Sequence, residues 1–459
     1  MKRNNFLIKS CVLMILAGIV LVSCADKAEL SFSSRTIEFD PLPVDTMFVD
    51  IYSNVKWTVH IVQDGTWLTV TPLEGVGNGR INIKVEENAT YLDRIAKIAI
   101  IGDGFGVDTI KVTQTKDVDI TALFRDRIFR EYMINEFDLN KDGSISSREA
   151  NKIETLRISR RQIESLSGIE NLTQLRYLDC SSNLISNLDL SKNTRLTTLI
   201  CDDNYIERLD LTNNLALIDV QCNWNSLVNL DVTGLTNLVI LEAWLNNLER
   251  LDVESNINLQ ELRISGNRIS SLNVNNNKKL MYLVCTNNRL QSLDLRNNTE
   301  LVTLYCGENR LSTLNLHENT KLQNFRCDYN EWFSGGTIDV SRNTELREFS
   351  CMGNRFTSLN LTNNINLEQF TCEGNNLTSL DLTRNTKLFL INAASNSLSS
   401  LDLRNITLRN LFIDLKSNPN LAIVHVPVDF ILFATCNDNI EPMILCDGTN
   451  PGGIWVESN

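Results

Sequence analysis

Cys180, Cys201 and Cys222 stand 21 residues apart; Ala243 and Ile264 hold the same interval, and Cys285, Cys306 and Cys327 continue it. After a three-residue insertion near Gly335 and Gly336 the count restarts at Cys351, Cys372 and Ala393. Three residues after each of these positions comes an asparagine: Asn183, Asn204, Asn225, Asn246, Asn267, Asn288, Asn309, Asn330, Asn354, Asn375 and Asn396. A fixed period in this range is the mark of a solenoid, in which one short unit is stacked many times over. No single turn can bury its own apolar face, so stability has to come from neighbours.

One turn reads Leu196, Leu199, Cys201, Asn204, Ile206, Leu209, Leu211, Asn214. Leu199 and Cys201 alternate with polar residues, which predicts a short strand with one buried face. An amide at Asn204, where the chain leaves that strand, can satisfy backbone groups of its own and the next turn. A second asparagine series, from Asn193 to Asn385 and broken at Leu235, is expected to do the same on the opposite side. This pattern resembles the leucine-rich repeat over residues 153–426. It implies about 12 turns with one long parallel sheet, and extended or 3₁₀ segments opposite it. The eight cysteines in register lack the close C-x₂-C pairs of a metal site and are expected to pack as small buried hydrophobes. Residues 427–459 are expected to form a C-terminal cap, where a Cys436–Cys446 disulfide is one option.

The chain opens with Lys2, Arg3 and Lys9, then an apolar run from Val12 to Val22, too short to span a bilayer comfortably. Leu21-Val22-Ser23-Cys24 resembles the bacterial lipobox, which implies that residues 1–23 are a signal peptide and that Cys24 carries lipid, with 24–29 as a tether. An uncleaved membrane anchor is the alternative. Attachment to the outer membrane is expected, with lipid the only membrane contact, and Asp26 and Glu29 close after Cys24 point to an outward-facing rather than periplasmic protein. Net charge is −13, and −16 without the three N-terminal cations. So acidic a surface argues against nucleic acid and anionic headgroups as partners.

Residues 30–116 carry alternating runs at Phe48–Tyr52, Trp57–Val62, Trp67–Val70, Ile81–Val85, Ile95–Ile101 and Thr109–Thr113, which predict a β-sandwich. The landmarks Trp57-Thr58-Val59, Trp67 through Pro72, Gly75, Gly77, Asn88, Arg94 and Val112-Thr113-Gln114 resemble the BACON domain. That family is common in surface lipoproteins and glycan-degrading enzymes of Bacteroidetes and was named for suspected carbohydrate binding. Trp57 and Trp67 read as core residues or as sugar platforms, and the domain as a spacer or a binding module.

Residues 117–152 read as a helix over Asp119–Phe137 followed by a loop from Asp138 to Glu149 that matches the EF-hand calcium pattern. Asp138, Asn140, Asp142, the Ser144 carbonyl and Glu149 supply the oxygens a hard cation needs, and Gly143 allows the sharp turn. A lone loop of this kind suits a structural calcium clip over the first repeat; a connector without metal is the other reading.

Candidate ligand contacts lie on the outward strand positions: Tyr177, Asp179, Asp202, Asp219, Glu242, Trp244, Tyr282 and Tyr305. Acidic and aromatic side chains together suit a basic protein surface or a polyhydroxylated chain. His60, His317 and His425 are scattered, and the sequence holds no phosphate loop, nucleophile elbow or zinc pair, so no enzyme is expected. The whole reads as a mainly β, lipid-anchored envelope protein whose solenoid binds a protein or glycoprotein. Glycan capture for polysaccharide uptake is the alternative.

Overall fold

The computed structural model describes residues 27–41, 46–88, 90, 92–330, 336–407, 410–426, 431–435 and 443–446. Cys24, the apolar leader and Cys436 lie outside these residues, and so does the side chain of Cys446. Among the described residues no helix is long and apolar enough to cross a membrane. The chain divides into two compact units, residues 1–117 and 118–459.

In the first unit a four-stranded sheet orders Leu30–Phe32, Met47–Ser53, Gly79–Val85 and Leu68–Thr71. A five-stranded sheet orders Thr36–Phe39, Gly106–Gln114, Arg94–Gly102, Lys56–Gln63 and Glu74–Val76. All neighbours are antiparallel except Thr36–Phe39 beside Gly106–Gln114. Strict alternation sends Val49, Ile51, Ile81, Ile83, Ile98, Ile100, Ile110 and Val112 into one core shared by both sheets. Leu30–Phe32, Thr36–Phe39 and Glu74–Val76 were not predicted, because strands this short carry too few alternations to register as a period.

The second unit is a solenoid. Fourteen strands form one parallel sheet, from Thr155–Arg157 to Ile431–Thr435. Thirteen of them lie within residues 153–426, where about twelve turns were expected. Pairing follows the repeat: Leu178, Leu199, Val220, Leu241, Leu262, Leu283 and Leu304 stack in register. The spacing across the insertion grows to Asn324↔Glu348 without loss of register. Phe325, Phe349 and Phe370 take the leucine slot there, their ring centroids 5.3 and 5.7 Å apart. Opposite the sheet the chain runs as turns, with a 3₁₀ turn at Ile169–Asn171 and a second parallel sheet of Ser400–Asp402, Ile423–Val426 and Met443–Cys446. One continuous apolar cluster runs from Ile120 to Val426.

The predicted helix over Asp119–Phe137 is shorter than expected, Arg127–Phe137, preceded by a 3₁₀ turn at Thr121–Leu123. The Asp126 carboxylate accepts from the Phe129 N–H and so starts the helix there. Ile120 and Phe124 are buried all the same, from irregular backbone, which is why their spacing reads as helical. Phe129 and Met133 join the solenoid core, and the Tyr132 hydroxyl donates to the Arg157 carbonyl of the first strand at 2.9 Å.

Candidate functional site

The scaffold beneath the outward face is built by two amide ladders that behave differently. Asn204 donates through Nδ2 to the carbonyls of Cys180, Cys201 and Asp202, and its Oδ1 accepts from the Ile185 N–H. Asn183 through Asn396 repeat the carbonyl-binding half of this arrangement, and Asn418 extends it by one more turn. The second series only donates: Asn214 Nδ2 reaches the carbonyls of Leu190 and Asn193 at 3.0 Å each. Its Oδ1 is buried without a partner among the described residues, as are those of Asn193, Asn256, Asn277, Asn298, Asn319, Asn343, Asn364 and Asn385. The second series therefore bonds backbone groups as expected, but only as a donor and only to carbonyls. The eight ladder cysteines are free and fully buried, and burial pushes the Cys285 thiol up to about 12, so they serve as packing rather than as nucleophiles.

Each turn offers three positions on this face: two on the strand, before the buried leucine and between it and the ladder cysteine, and one just past the cysteine. Tyr177, Asp219 and Tyr282 occupy the first column; Asp179, Glu242 and Tyr305 the second; Asp202 and Trp244 the third. The predicted residues share one face but do not form one line. Arg157 lies over Tyr177 at 4.6 Å and Arg326 over Tyr305 at 4.9 Å. Arg263 pairs with Glu242 at 3.3 Å and also with Glu261.

Asn223, almost fully buried, ties three turns together. Its N–H donates to Asp202 Oδ1 at 2.7 Å, its Nδ2 to Glu242 Oε2 at 3.1 Å, and its Oδ1 accepts from the Trp244 N–H at 3.0 Å. Burial pushes the Asp202 carboxyl up to about 6, with Glu242 and Asp179 adding to the rise. Burial likewise raises Asp219, helped by Glu242 and Glu261.

Sequence reasoning missed the rim beside this face. The residue before each ladder asparagine has left-handed backbone, with φ between +50° and +69° at Ser182, Asp203, Trp224, Leu245, Gly266, Asn287, Glu308, Tyr329, Gly353, Gly374 and Ser395. Gly, Asn and Asp suit that slot; a bulky side chain there costs roughly 1 kcal/mol or more. Yet Trp224 is 54% exposed and Tyr329 55% exposed, with Leu245 at 37%. Leu245 lies over Gly266, and Tyr329 over Gly353, where an added Cβ would come within 2.6 and 2.4 Å. Trp224 meets Trp244 edge to face with centroids 5.5 Å apart, and Tyr205, directly after ladder Asn204 one turn before, is 61% exposed. The available signal was a pair of aromatics, Trp224 and Tyr329, in a column filled mostly by Gly, Asn, Asp and Ser.

The loop from Asp138 to Glu149 is organised by its own carboxylates. Asp138 accepts from the N–H groups of Lys141, Asp142 and Gly143; Asn140 Oδ1 accepts from Asp142; Asp142 accepts from Ser144 N–H and hydroxyl. The Ser144 and Asn140 bonds hold the Asp142 carboxyl below its ordinary value. Gly143 takes φ +83°, as the pattern requires. Glu149 accepts from Leu139 and Asn140 N–H through Oε1, and through Oε2 forms a capping box with Ser146. The donor set, all oxygen, fits a hard cation in kind, while both Glu149 oxygens are engaged with donors of the loop. Among the described residues no three acidic, cysteine or histidine side chains gather as a metal cluster.

In the first unit the predicted landmarks hold the fold. Trp57 is 2% exposed, its Nε1 donating to the Gly77 carbonyl at 2.8 Å, and a Cβ at Gly75 or Gly79 would lie 2.1 or 2.6 Å from its ring. Trp67 is buried beneath the Arg94 guanidinium at 4.6 Å. Arg94 donates to Gln114 Oε1, whose Nε2 reaches the carbonyls of Asp40, Pro41 and Glu86. Neither tryptophan offers a sugar platform. A cavity of about 460 Å³ opens elsewhere, beside Glu29, Tyr52, Asn54, Asn78 and Phe105.

The family described as "BACON: Putative binding domain, N-terminal" matches residues 57–115. No curated protein matches the chain in sequence. In fold it is similar to an internalin, InlF, of Listeria monocytogenes, with a TM-score of 0.52 and 20% identity over 67% of this chain and 97% of that one. The functional domain of InlJ from the same organism, which includes a cysteine ladder, gives 0.49 and 27% over 68% and 77%. A leucine-rich-repeat protein of Leptospira interrogans gives 0.49 and 19% over 63% and 80%. By the BACON match, by the likeness in fold to InlF and by its own strand register, the chain joins a BACON domain to a leucine-rich-repeat solenoid.

Proposed function

We propose that this chain is a lipid-anchored cell-envelope protein that binds a protein or glycoprotein through the outward face of its solenoid. The observation that carries the reading is that face itself. Short parallel strands bury one side completely and hold acidic, amide and aromatic side chains on the other, some fixed by buried amides such as Asn223. Backbone-fixed polar groups beside half-exposed aromatics are what a protein interface uses. Lipid on Cys24 would tether it, with the BACON domain, read as a β-sandwich, as spacer. Calcium held by Asp138, Asn140, Asp142, the Ser144 carbonyl and Glu149 would supply charge neutralisation that pins the loop at the first repeat.

The test is binding of the full chain to arrayed glycoproteins before and after enzymatic deglycosylation. Binding that survives sugar removal supports protein recognition; binding that vanishes with the sugar refutes it. The second reading, glycan capture, is favoured by the cavity beside Tyr52 and Phe105. Under that reading Tyr52→Ala with Phe105→Ala abolishes glycan binding.

A further inference from the structure

We infer that the rim around Trp224 is the contact site for the protein partner, and that the partner places a lysine or arginine there. The cation would sit between the Trp224–Trp244 pair and the carboxylates of Asp202, Asp203 and Glu242. The inference rests on the protein-binding reading above and gives it a location and a chemistry.

The aromatic half of the argument is conformational. Trp224 occupies a left-handed slot (φ +51°) that Gly, Asn, Asp and Ser fill in most other turns, and it leaves half its surface in water. Neither backbone preference nor burial favours tryptophan at this point. Strain and exposed apolar area kept together are features of binding sites. Trp244 stands edge to face against it, and Tyr205 widens the exposed surface by one turn.

The electrostatic half is complementarity. From Tyr177 to Ser265 the three outward columns hold Asp179, Asp202, Asp219, Glu242 and Glu261 against a single cation, Arg263. That arginine stands three turns from Asp202 and is already paired with Glu242 and Glu261. Asp202 and Glu242 are held in place by the neutral Asn223, which positions both carboxylates without compensating either. The same asparagine holds the Trp244 backbone, so aromatic and acidic groups share one anchor. A guanidinium or ammonium on this spot gains both a ring face and a fixed carboxylate. A neutral sugar would meet the hydrogen-bonding groups and leave the like charges facing each other.

The experiment pans a library of random twelve-residue displayed peptides on the full chain, on Trp224→Gly and on Tyr305→Ala, with a glycan array run in parallel. Glycine and asparagine both suit the left-handed slot, so Trp224→Gly keeps or raises the melting temperature, and Trp224→Asn serves as the second variant. Peptides enriched on the unaltered chain should carry lysine or arginine at least twofold above the input library. Their affinity should fall at least tenfold on both Trp224 variants and severalfold on Asp202→Asn. Enrichment without cationic bias, or undiminished binding to the Trp224 variants, overturns the proposal. Binding lost in Tyr305→Ala but kept in Trp224→Gly overturns this location while leaving the protein-binding face intact. No enriched peptide, with or without glycan binding, overturns both.

Discussion

The two asparagine ladders look alike in sequence but should respond very differently to substitution. Asn204→Ala removes four hydrogen bonds, yet most of their partners are held twice. The Cys180 carbonyl keeps Asn183 Nδ2 at 2.9 Å, the Cys201 carbonyl keeps Asn225 Nδ2 at 3.0 Å, and the Asp202 carbonyl keeps the Ser182 N–H at 2.8 Å. The buried Ile185 N–H, 3.0 Å from Asn204 Oδ1, has no other acceptor among the described residues. Orphaning one buried donor costs about 1–3 kcal/mol, and the void left by the amide adds about 1 kcal/mol. The expected loss is therefore about 2–4 kcal/mol.

Asn214→Leu is the matched comparison. Its two carbonyl partners retain the Asn193 and Leu196 N–H groups, and the substitution removes an oxygen that accepts nothing. Leu235 already occupies the equivalent slot, buried, one turn further on. The expected loss is below about 1 kcal/mol, since no buried group is newly orphaned. Urea unfolding of the full chain, followed by tryptophan fluorescence at unchanged m, measures both. Equal destabilisation by the two variants would refute the reasoning that redundancy, rather than bond count, sets the cost.

Burial lifts the Asp202 pKa from its ordinary 3.8 to about 6, so folding takes up a proton between these values and stability falls as pH rises from about 4 to 6. Asp202→Asn should leave stability unchanged at pH 4 and raise it by about 1 kcal/mol at pH 7.5, after allowance for solvent screening; thermal melts at both pH values decide, and equal effects at both would refute it. Gly75→Ala puts a methyl 2.1 Å from the Trp57 ring and should cost about 1–3 kcal/mol in the BACON domain, read as an early melting step with displaced tryptophan emission. If the calcium proposal holds, millimolar calcium raises the melting temperature of the chain relative to chelator, and Glu149→Gln, which keeps an acceptor for the loop N–H groups, loses most of that rise. No calcium effect on the unaltered chain would sink the clip. Cys24→Ser should release the protein from membranes; continued membrane association would count against lipid at that residue.

The period of the solenoid, its buried leucine and cysteine columns, and the first asparagine ladder were legible because each turn repeats the same local problem. An error at one position is corrected by ten copies. Six strands of the BACON domain were legible through alternation, whereas Leu30–Phe32, Thr36–Phe39 and Glu74–Val76, of three or four residues, were not. The helix start was misplaced because Ile120 and Phe124 are buried by tertiary contact from backbone that is not helical.

The candidate face was legible residue by residue, but its arrangement was not. Sequence alone placed Tyr177, Asp202 and Glu242 outward, since side-chain direction follows from strand periodicity. Only the folded chain decided that these residues fall into three columns, that Asn223 holds Asp202 and Glu242, and that Trp224 enters a left-handed turn at the rim. The physical reason is range. Period-two and 21-residue patterns are set by backbone geometry within one turn, which residue order records directly. Burial of Asp202 and the meeting of Trp224 with Trp244 depend on atoms brought together from successive turns.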